Sequence, residues 1–266
     1  MSVPVARSSR VLRVPEITVY FWIVKGLSTA MGEATSDYLV RELHPAPAVL
    51  LGFAGFVVAL VVQLSRGRYL AWSYWLTVVM VGVFGTMAAD VLHVGLGVPY
   101  LASTIMCAVA LAAVFVLWNL TEGTLSIHSI DTTRRELFYW ATVVATFALG
   151  TSAGDLTAVT FHLGYAKSIV LFAVIIAIPA IGYGRFDWHP IVTFWFAYVA
   201  TRPVGATLAD WTVKPAAAGG LAWPEGPICV FLTVAIAALV VYLTITKADI
   251  QHTTTRATGP EHSAHA

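Results

Sequence analysis

The stretch Tyr139–Asp155, YWATVVATFALGTSAGD, is an apolar segment that ends in a carboxylate, and its pattern occurs four times in the chain. The other copies are FWIVKGLSTAMGEATSD at 21–37, YWLTVVMVGVFGTMAAD at 74–90 and FWFAYVATRPVGATLAD at 194–210. In each copy an aromatic residue precedes Trp, Gly follows ten residues after the Trp, and Asp follows five residues after the Gly. Four matches that include the rare Trp indicate a true internal repeat. We call these segments the signature helices.

The three shared positions predict distinct roles within each signature helix. At about 100° per residue, residues fifteen apart lie within about 60° of one another, so Trp and Asp share a face. The glycines are surrounded by small residues, which favour close helix crossings or a local helix break. The Trp side chains are predicted to form a belt at the membrane interface. The positions are Trp22, Trp75, Trp140 and Trp195; Gly32, Gly85, Gly150 and Gly205; and Asp37, Asp90, Asp155 and Asp210.

The composition predicts an all-α polytopic membrane protein. Of 266 residues, 58% are hydrophobic and 11% charged, whereas soluble domains carry about 25% charged residues. Apolar segments long enough to span a bilayer recur along the chain. We expect eight, at about 16–42, 47–65, 70–94, 98–119, 136–161, 165–183, 190–212 and 226–246.

Each signature helix is followed by a plainer apolar helix, which gives a membrane domain over 15–246. Its four two-helix repeats fall at about 15–65, 69–119, 134–183 and 189–246. An even number of spans per repeat makes the repeats parallel, unlike the inverted repeats of many transporters. Residues 1–14 are predicted to be a cytoplasmic leader and residues 247–266 a disordered tail. The sequence does not decide whether the repeats surround one axis or form two pairs.

The distribution of basic residues predicts the orientation. Eight spans place both termini on one side, which collects ten basic residues, against Arg41, Lys167 and Lys214 on the other side. The positive-inside rule then places both termini in the cytoplasm of a bacterial inner membrane. The lipid bilayer is thus one expected partner, and the sequence leaves a homo-oligomer open.

The chain resembles a bacterial family of uncharacterised membrane-anchored proteins built from four tandem repeats of unknown function. The resemblance covers about residues 15–246, including VPEITVYFWIVKGLSTAMGEATSD and TRPVGATLAD. It implies two spans per repeat with a characteristic tryptophan. It implies little about activity.

Carboxylates inside spans are the strongest functional signal in the sequence. A charged group in a span costs several kcal/mol unless it is paired, hydrated or neutralised. The four signature Asp residues and Glu33 predict a cluster around a hydrated path or binding site for a small cation. Oxygen ligands suit Mn²⁺, Mg²⁺ or Ca²⁺, and crowded carboxyl groups also share protons. The alternative is structural, because a repeated fold also repeats its capping and packing devices.

Three charged residues break the repeat. Lys25 aligns with Val78, Val143 and Tyr198; Arg202 aligns with Thr29, Gly82 and Phe147; and Glu33 aligns with Thr86, Thr151 and Ala206. Because the exceptions fall in the first and last repeats, we expect these repeats to meet and Arg202 to pair with Glu33. Lys25 and Arg202 would then balance or gate the acidic cluster, although a purely structural salt bridge fits equally well.

Other functional classes find less support in the sequence. The chain lacks the common hydrolase and phosphate-loop motifs, so no enzyme is predicted. A formal net charge of +1 and no basic stripe argue against nucleic-acid binding. The prediction is therefore a cation transporter or channel, with no certain cofactor beyond the cation. The alternatives are a proton-coupled carrier of a small organic solute and a non-transporting scaffold or sensor. His44, His93 and His162 are weaker candidates for a transition metal or for pH sensing.

Overall fold

The computed structural model describes residues 12–250, which form eight long α-helices and no β-strand. Most of the predicted leader and the tail after Ile250 lie outside the described residues. The helices are α1 (Val19–Leu43), α2 (Pro45–Arg66), α3 (Ala71–Asp90), α4 (Tyr100–Glu122), α5 (Thr133–Asp155), α6 (Gly164–Phe186), α7 (Pro190–Val213) and α8 (Glu225–Thr246). The signature helices are α1, α3, α5 and α7.

Six of the eight helices are long and apolar enough to cross a membrane: α2, α3, α4, α5, α6 and α8. The predicted membrane character is therefore confirmed, whereas the prediction of eight spans is confirmed only for these six. The remaining two, α1 and α7, carry the buried charged residues Lys25, Glu33 and Arg202, which lower their hydropathy. These charges face other helices, because all three side chains are buried in the bundle.

Local sequence explains where several helices begin and end. The Thr18 and Thr132 hydroxyls accept hydrogen bonds from the backbone N–H groups of Phe21 and Arg135, at the starts of α1 and α5. Proline occupies the first position of α2 and α7, where it has no intrahelical partner to lose. Gly67, with φ 63°, ends α2 in the left-handed conformation.

The signature helices form a closed ring around one axis. Each contacts the signature helix of the next repeat, α1 with α3, α3 with α5, α5 with α7, and α7 with α1. The plain helices pack outside this ring, each against the following signature helix, so that α2 contacts α3, α4 contacts α5, α6 contacts α7 and α8 contacts α1. The four repeats therefore surround one axis with pseudo-fourfold symmetry. The sequence had left this arrangement and an arrangement in two pairs both open.

The two ends of the ring differ. We call the end where the signature helices start the basal end, and the end where they finish, at the signature Asp residues, the acidic end. Backbone N–H groups of Arg13 and Glu16 donate to the carbonyls of Ile130 and Asp249, which ties both described termini to the basal end. The Arg13 guanidinium also pairs with the buried Glu136 carboxylate at 2.8 Å. Residues 12–18 are thus part of the folded unit.

Aromatic side chains fill the basal end of the axis in a cyclic pattern. The residue before each Trp packs on the Trp of the next repeat, with ring centroids 5.6 Å apart for Phe21–Trp75, 5.4 Å for Tyr74–Trp140, 6.2 Å for Tyr139–Trp195 and 6.0 Å for Phe194–Trp22. Trp75, Trp140 and Trp195 are buried, whereas Trp22 is half-buried. The signature tryptophans therefore join neighbouring repeats, which the belt interpretation did not anticipate.

Candidate functional site

The four signature Asp residues lie around the axis at the acidic end and form what we call the acidic ring. Each is close enough to interact electrostatically with its neighbours around the axis, in the pairs Asp37–Asp90, Asp90–Asp155, Asp155–Asp210 and Asp210–Asp37. Asp210 is buried and the other three are half-buried. In α3 and α5 a π-helical turn starts directly after the Asp, at Val91–Gly95 and Leu156–Thr160. The acidic ring is thus part-sheltered, with helix irregularities beside two of its members.

Lys214, one residue beyond α7, bridges two members of the ring. Its ammonium lies 2.6 Å from Asp37 Oδ2 and 3.4 Å from Asp210 Oδ1. Burial alone would lower the pKa of Lys214, but the carboxylates of Asp210 and Asp37 outweigh burial and raise the pKa above the ordinary lysine value. Lys214 therefore stays charged at neutral pH and balances one acid, whereas Asp90 and Asp155 have no ion pair within the described residues.

Below the ring, toward the basal end, Glu33 is the acceptor of a buried polar hub. Its Oε2 atom accepts hydrogen bonds from Arg202 Nη2 at 2.7 Å, Thr151 Oγ1 at 3.1 Å and Thr86 Oγ1 at 3.3 Å. Arg202 is completely buried, and its second amino group donates to the Thr29 carbonyl at 3.3 Å. Because Glu33, Thr86 and Thr151 occupy equivalent positions, the hub lies on the pseudo-fourfold axis.

The signature glycines make the close packing around this hub. Each signature helix continues unbroken through its glycine. A Cβ placed on each glycine would collide with the next repeat, always at the position three residues before that repeat's own glycine. The Cβ distances are 2.7 Å from Gly32 to the Gly82 carbonyl carbon, 2.7 Å from Gly85 to Phe147 Cβ, 2.6 Å from Gly150 to Arg202 Cβ and 2.6 Å from Gly205 to Thr29 Cβ.

Lys25 lies on the basal side of the hub and has no carboxylate partner within the described residues. Its ammonium is fully buried, makes no hydrogen bond there, and lies 3.9 Å from the Tyr198 ring centroid and 4.1 Å from that of Phe147. A charged amine over ring faces gains about 2 kcal/mol or more when the contact is desolvated. The expected ion pair between the first and last repeats therefore forms at Glu33 and Arg202, and Lys25 stands apart from it.

No group of three or more His, Cys, Asp or Glu side chains in residues 12–250 is arranged to hold a metal ion. The five predicted acidic ligands, Asp37, Asp90, Asp155, Asp210 and Glu33, thus surround one axis without forming a cage. His93 contacts residues close to it in the chain: its Nδ1 lies 2.8 Å from the Val98 carbonyl, and its ring stacks on Tyr100. His44 and His162 both adopt positive φ angles at the turns that follow α1 and α5.

Sequence reasoning missed two parts of the site. Thr86 and Thr151 were seen only as the uncharged counterparts of Glu33, although their alignment with it placed them on the same axis. Lys214 was counted among the loops of the acidic side. Its position four residues after Asp210 was the available signal, because residues at that spacing are neighbours on a helix.

Together, the fold and the site define a helical membrane protein whose four parallel repeats place charged residues along a common axis. The chain belongs to the family described as Repeat of Unknown Function (DUF347), whose profile matches residues 20–69, 73–124, 138–186 and 193–249. The four matched segments correspond to the four predicted repeats and confirm the suspected family. Neither the curated proteins nor the solved structures contain a match to this chain.

Proposed function

We propose that this protein is a transporter for a cation, with proton coupling through the acidic ring. The observation that carries this proposal is the convergence of five carboxyl groups, the four signature Asp residues and Glu33, around one axis of an otherwise apolar bundle. Within the described residues, the cationic side chains that accompany them are Lys25, Arg202 and Lys214. Such a cluster in a membrane domain is expensive and is typical of ion or proton pathways.

In this proposal all eight helices cross the inner membrane of a bacterium, with both termini in the cytoplasm. α1 and α7 cross because the other helices shield their charges. The acidic ring then faces the outside, and the aromatic ring closes the cytoplasmic end. This orientation follows the excess of basic residues at the basal end.

The geometry supports a proton better than a bare divalent metal. A proton needs no coordination cage and can move between adjacent carboxyl groups. A divalent Mn²⁺, Mg²⁺ or Ca²⁺ would need about six or more oxygen ligands, so the acids would have to move inward. It would also have to pass the buried guanidinium of Arg202, whose like charge opposes entry at the hub.

Each charged group has a distinct role in the proposal. Asp90 and Asp155 lack an ion pair within the described residues. They exchange protons most readily with the solvent outside the acidic end. Lys214 holds Asp37 and Asp210 in place. The pair of Glu33 and Arg202 is the gate, because cations reach the basal side only after Arg202 leaves the axis.

The test is flux into proteoliposomes, followed with a pH-sensitive dye and with radioactive Mn²⁺, Mg²⁺ and Ca²⁺ as separate probes. Asp155→Asn and Asp90→Asn are expected to abolish proton-coupled flux while leaving the protein folded. Asp187→Asn, at the exposed end of α6, is the matched control and should transport normally. Stable Asn variants with unchanged flux would assign the acids to a scaffold, and wild-type vesicles with no flux of any probe would overturn the proposal of a cation transporter.

A second candidate is a proton-coupled carrier of a small organic solute. The buried amino group of Lys25 favours it, because a nitrogen donor without an acceptor among the described residues can donate to a carboxylate or another polar group of a solute. Lys25→Met would then abolish solute uptake yet preserve proton exchange at the acidic ring. Loss of both activities would instead place Lys25 in the proton path.

A further inference from the structure

A cleft of about 770 Å³ opens at the basal end, where the fourth repeat meets the first. Its walls are α6, α7, the Trp22 ring and the loop at 125–128. The volume falls within the range of about 300–1,000 Å³ that small-molecule sites occupy. Most lining side chains are aliphatic or aromatic, including Ile176, Ala180 and Phe194.

Comparison with the second repeat shows what fills the equivalent space there. In α4, Phe115 and Trp118 pack against Trp195, with ring centroids 5.1 Å and 5.7 Å apart. Phe115 and Trp118 stand 40 and 43 residues after Trp75, and the same spacing from Trp140 leads to Ala180 and Tyr183 on α6. Trp22 therefore faces an alanine where Trp195 faces a phenylalanine.

The second equivalent position differs just as clearly. Trp118 is fully buried, whereas Tyr183, which lines the cleft, is 57% exposed. One seam of the pseudo-fourfold structure is thus filled by two aromatic side chains, and the equivalent seam is left as a cleft. The aromatic filling is particular to α4, since the positions at the same spacing carry Val62 and Ser65 in α2 and Ala235 and Ala238 in α8.

Apart from the Trp22 indole and the Tyr183 phenol, the polar side chains of the cleft lie at its mouth or are already bonded. Glu16, Ser126 and His128 lie at the basal mouth, where Glu16 Oε1 and His128 Nε2 are 3.6 Å apart and both side chains are exposed. Deeper in, the hydroxyls of Thr193 and Thr201 donate to carbonyls of their own helix or its cap at 3.2 Å and 2.7 Å. The interior therefore offers a ligand mainly apolar surface.

We propose that this cleft binds one acyl chain of a phospholipid whose headgroup carries a primary amine. The chain fills the place that Phe115 and Trp118 fill in the equivalent seam. At the mouth, the Glu16 carboxylate accepts from the headgroup amine and the His128 imidazole donates to the phosphate. An acid and a base side by side match a zwitterionic headgroup better than a purely anionic one.

The test counts lipids that remain bound to the full chain by native mass spectrometry. The protein is reconstituted in vesicles of phosphatidylethanolamine and phosphatidylglycerol in equal parts and then extracted. Ala180→Phe places an aromatic ring at the position that Phe115 occupies in α4, and Ala177→Leu fills a smaller part of the cleft. The control is Ala113→Phe, on an exposed face of α4 outside the cleft.

The wild type and Ala113→Phe are expected to retain one more phosphatidylethanolamine than either filled variant. Glu16→Gln should reduce the preference for phosphatidylethanolamine over phosphatidylglycerol several-fold while the lipid count stays the same. Equal retention in all variants would overturn the proposal. So would equal affinity for both lipids, or a dimer that dissociates in Ala180→Phe, which would make a second copy the occupant.

Discussion

Glu33 pairs with Arg202, as the sequence predicted, and also with two threonines whose role the sequence did not predict. Its carboxylate pairs with Arg202 and also accepts hydrogen bonds from two threonine hydroxyls at the equivalent positions of other repeats. Ala206 occupies the fourth equivalent position, and the guanidinium of the same helix reaches the axis from Arg202. A buried pair held by additional hydrogen bonds leaves few polar atoms unsatisfied, which limits the penalty of burial.

A mutant cycle tests the coupling of this pair. Glu33→Met leaves an uncompensated buried guanidinium and should lower the free energy of unfolding by about 3–5 kcal/mol. Glu33→Met combined with Arg202→Met should recover most of that loss, because both charges are removed together. Equilibrium unfolding in mixed detergent micelles measures the change. If the loss of unfolding free energy in the double variant equalled the sum of the losses in Glu33→Met and Arg202→Met, the two side chains would act independently.

The signature glycines give a second prediction at the residue scale. Gly32→Ala should destabilise the protein by about 1–3 kcal/mol, because the new methyl group meets backbone atoms of Gly82 that cannot rotate away. Gly26→Ala in the same helix is the control, since a methyl group added there would meet no atom within 4 Å. Thermal unfolding of the two variants should therefore differ in sign or clearly in size, and equal melting temperatures would contradict the packing argument.

At the scale of elements, the plain helices determine how each signature tryptophan is covered. α4 buries Trp195 with Phe115 and Trp118, and α6 leaves Trp22 half-buried beside the cleft. Trp195→Ala should lower the free energy of unfolding by about 3–5 kcal/mol, as expected for a large core side chain. Trp22→Ala should have a smaller effect in detergent, because part of its ring already faces open space.

The same pair of variants distinguishes a shared role from a repeat-specific one. If Trp22→Ala proved as destabilising as Trp195→Ala in lipid-free detergent, the tryptophans would act equally and the open seam would carry no energetic meaning. Denaturation followed by the remaining tryptophan fluorescence provides the comparison.

For the whole molecule, the parallel order of the four repeats predicts which loops lie on each side of the membrane. Cysteines at Arg68 and Asp187 should react with a membrane-impermeant maleimide from one side, and cysteines at Leu96 and Ala217 from the other. All four positions are exposed, and they lie at the basal and acidic ends respectively. Cys107 and Cys229 would first be replaced, so that the maleimide reacts only with the introduced cysteine. Labelling of all four from a single side would refute eight spans and the parallel repeat order.

The sequence alone determined the membrane class, the four repeats, the helix pairs and the axial residue types. These features are local or periodic, since they depend on apolar segment length and on residues that recur at fixed spacing. The meeting of Glu33 with Arg202 was also within reach, because both charges stand out against equivalent uncharged positions. The role of the threonines required the knowledge that equivalent positions converge.

Only the tertiary structure decided that the repeats close into one ring, that the glycines pack without breaking their helices, and that Lys25 stays apart from the acids. Each of these depends on which face of a helix meets which neighbour, and parallel repeats of one pattern can satisfy their apolar faces in several arrangements. The cleft beside Trp22 depends on the same kind of information. Ala180 borders a cavity because the fold places it beside the half-buried Trp22 ring.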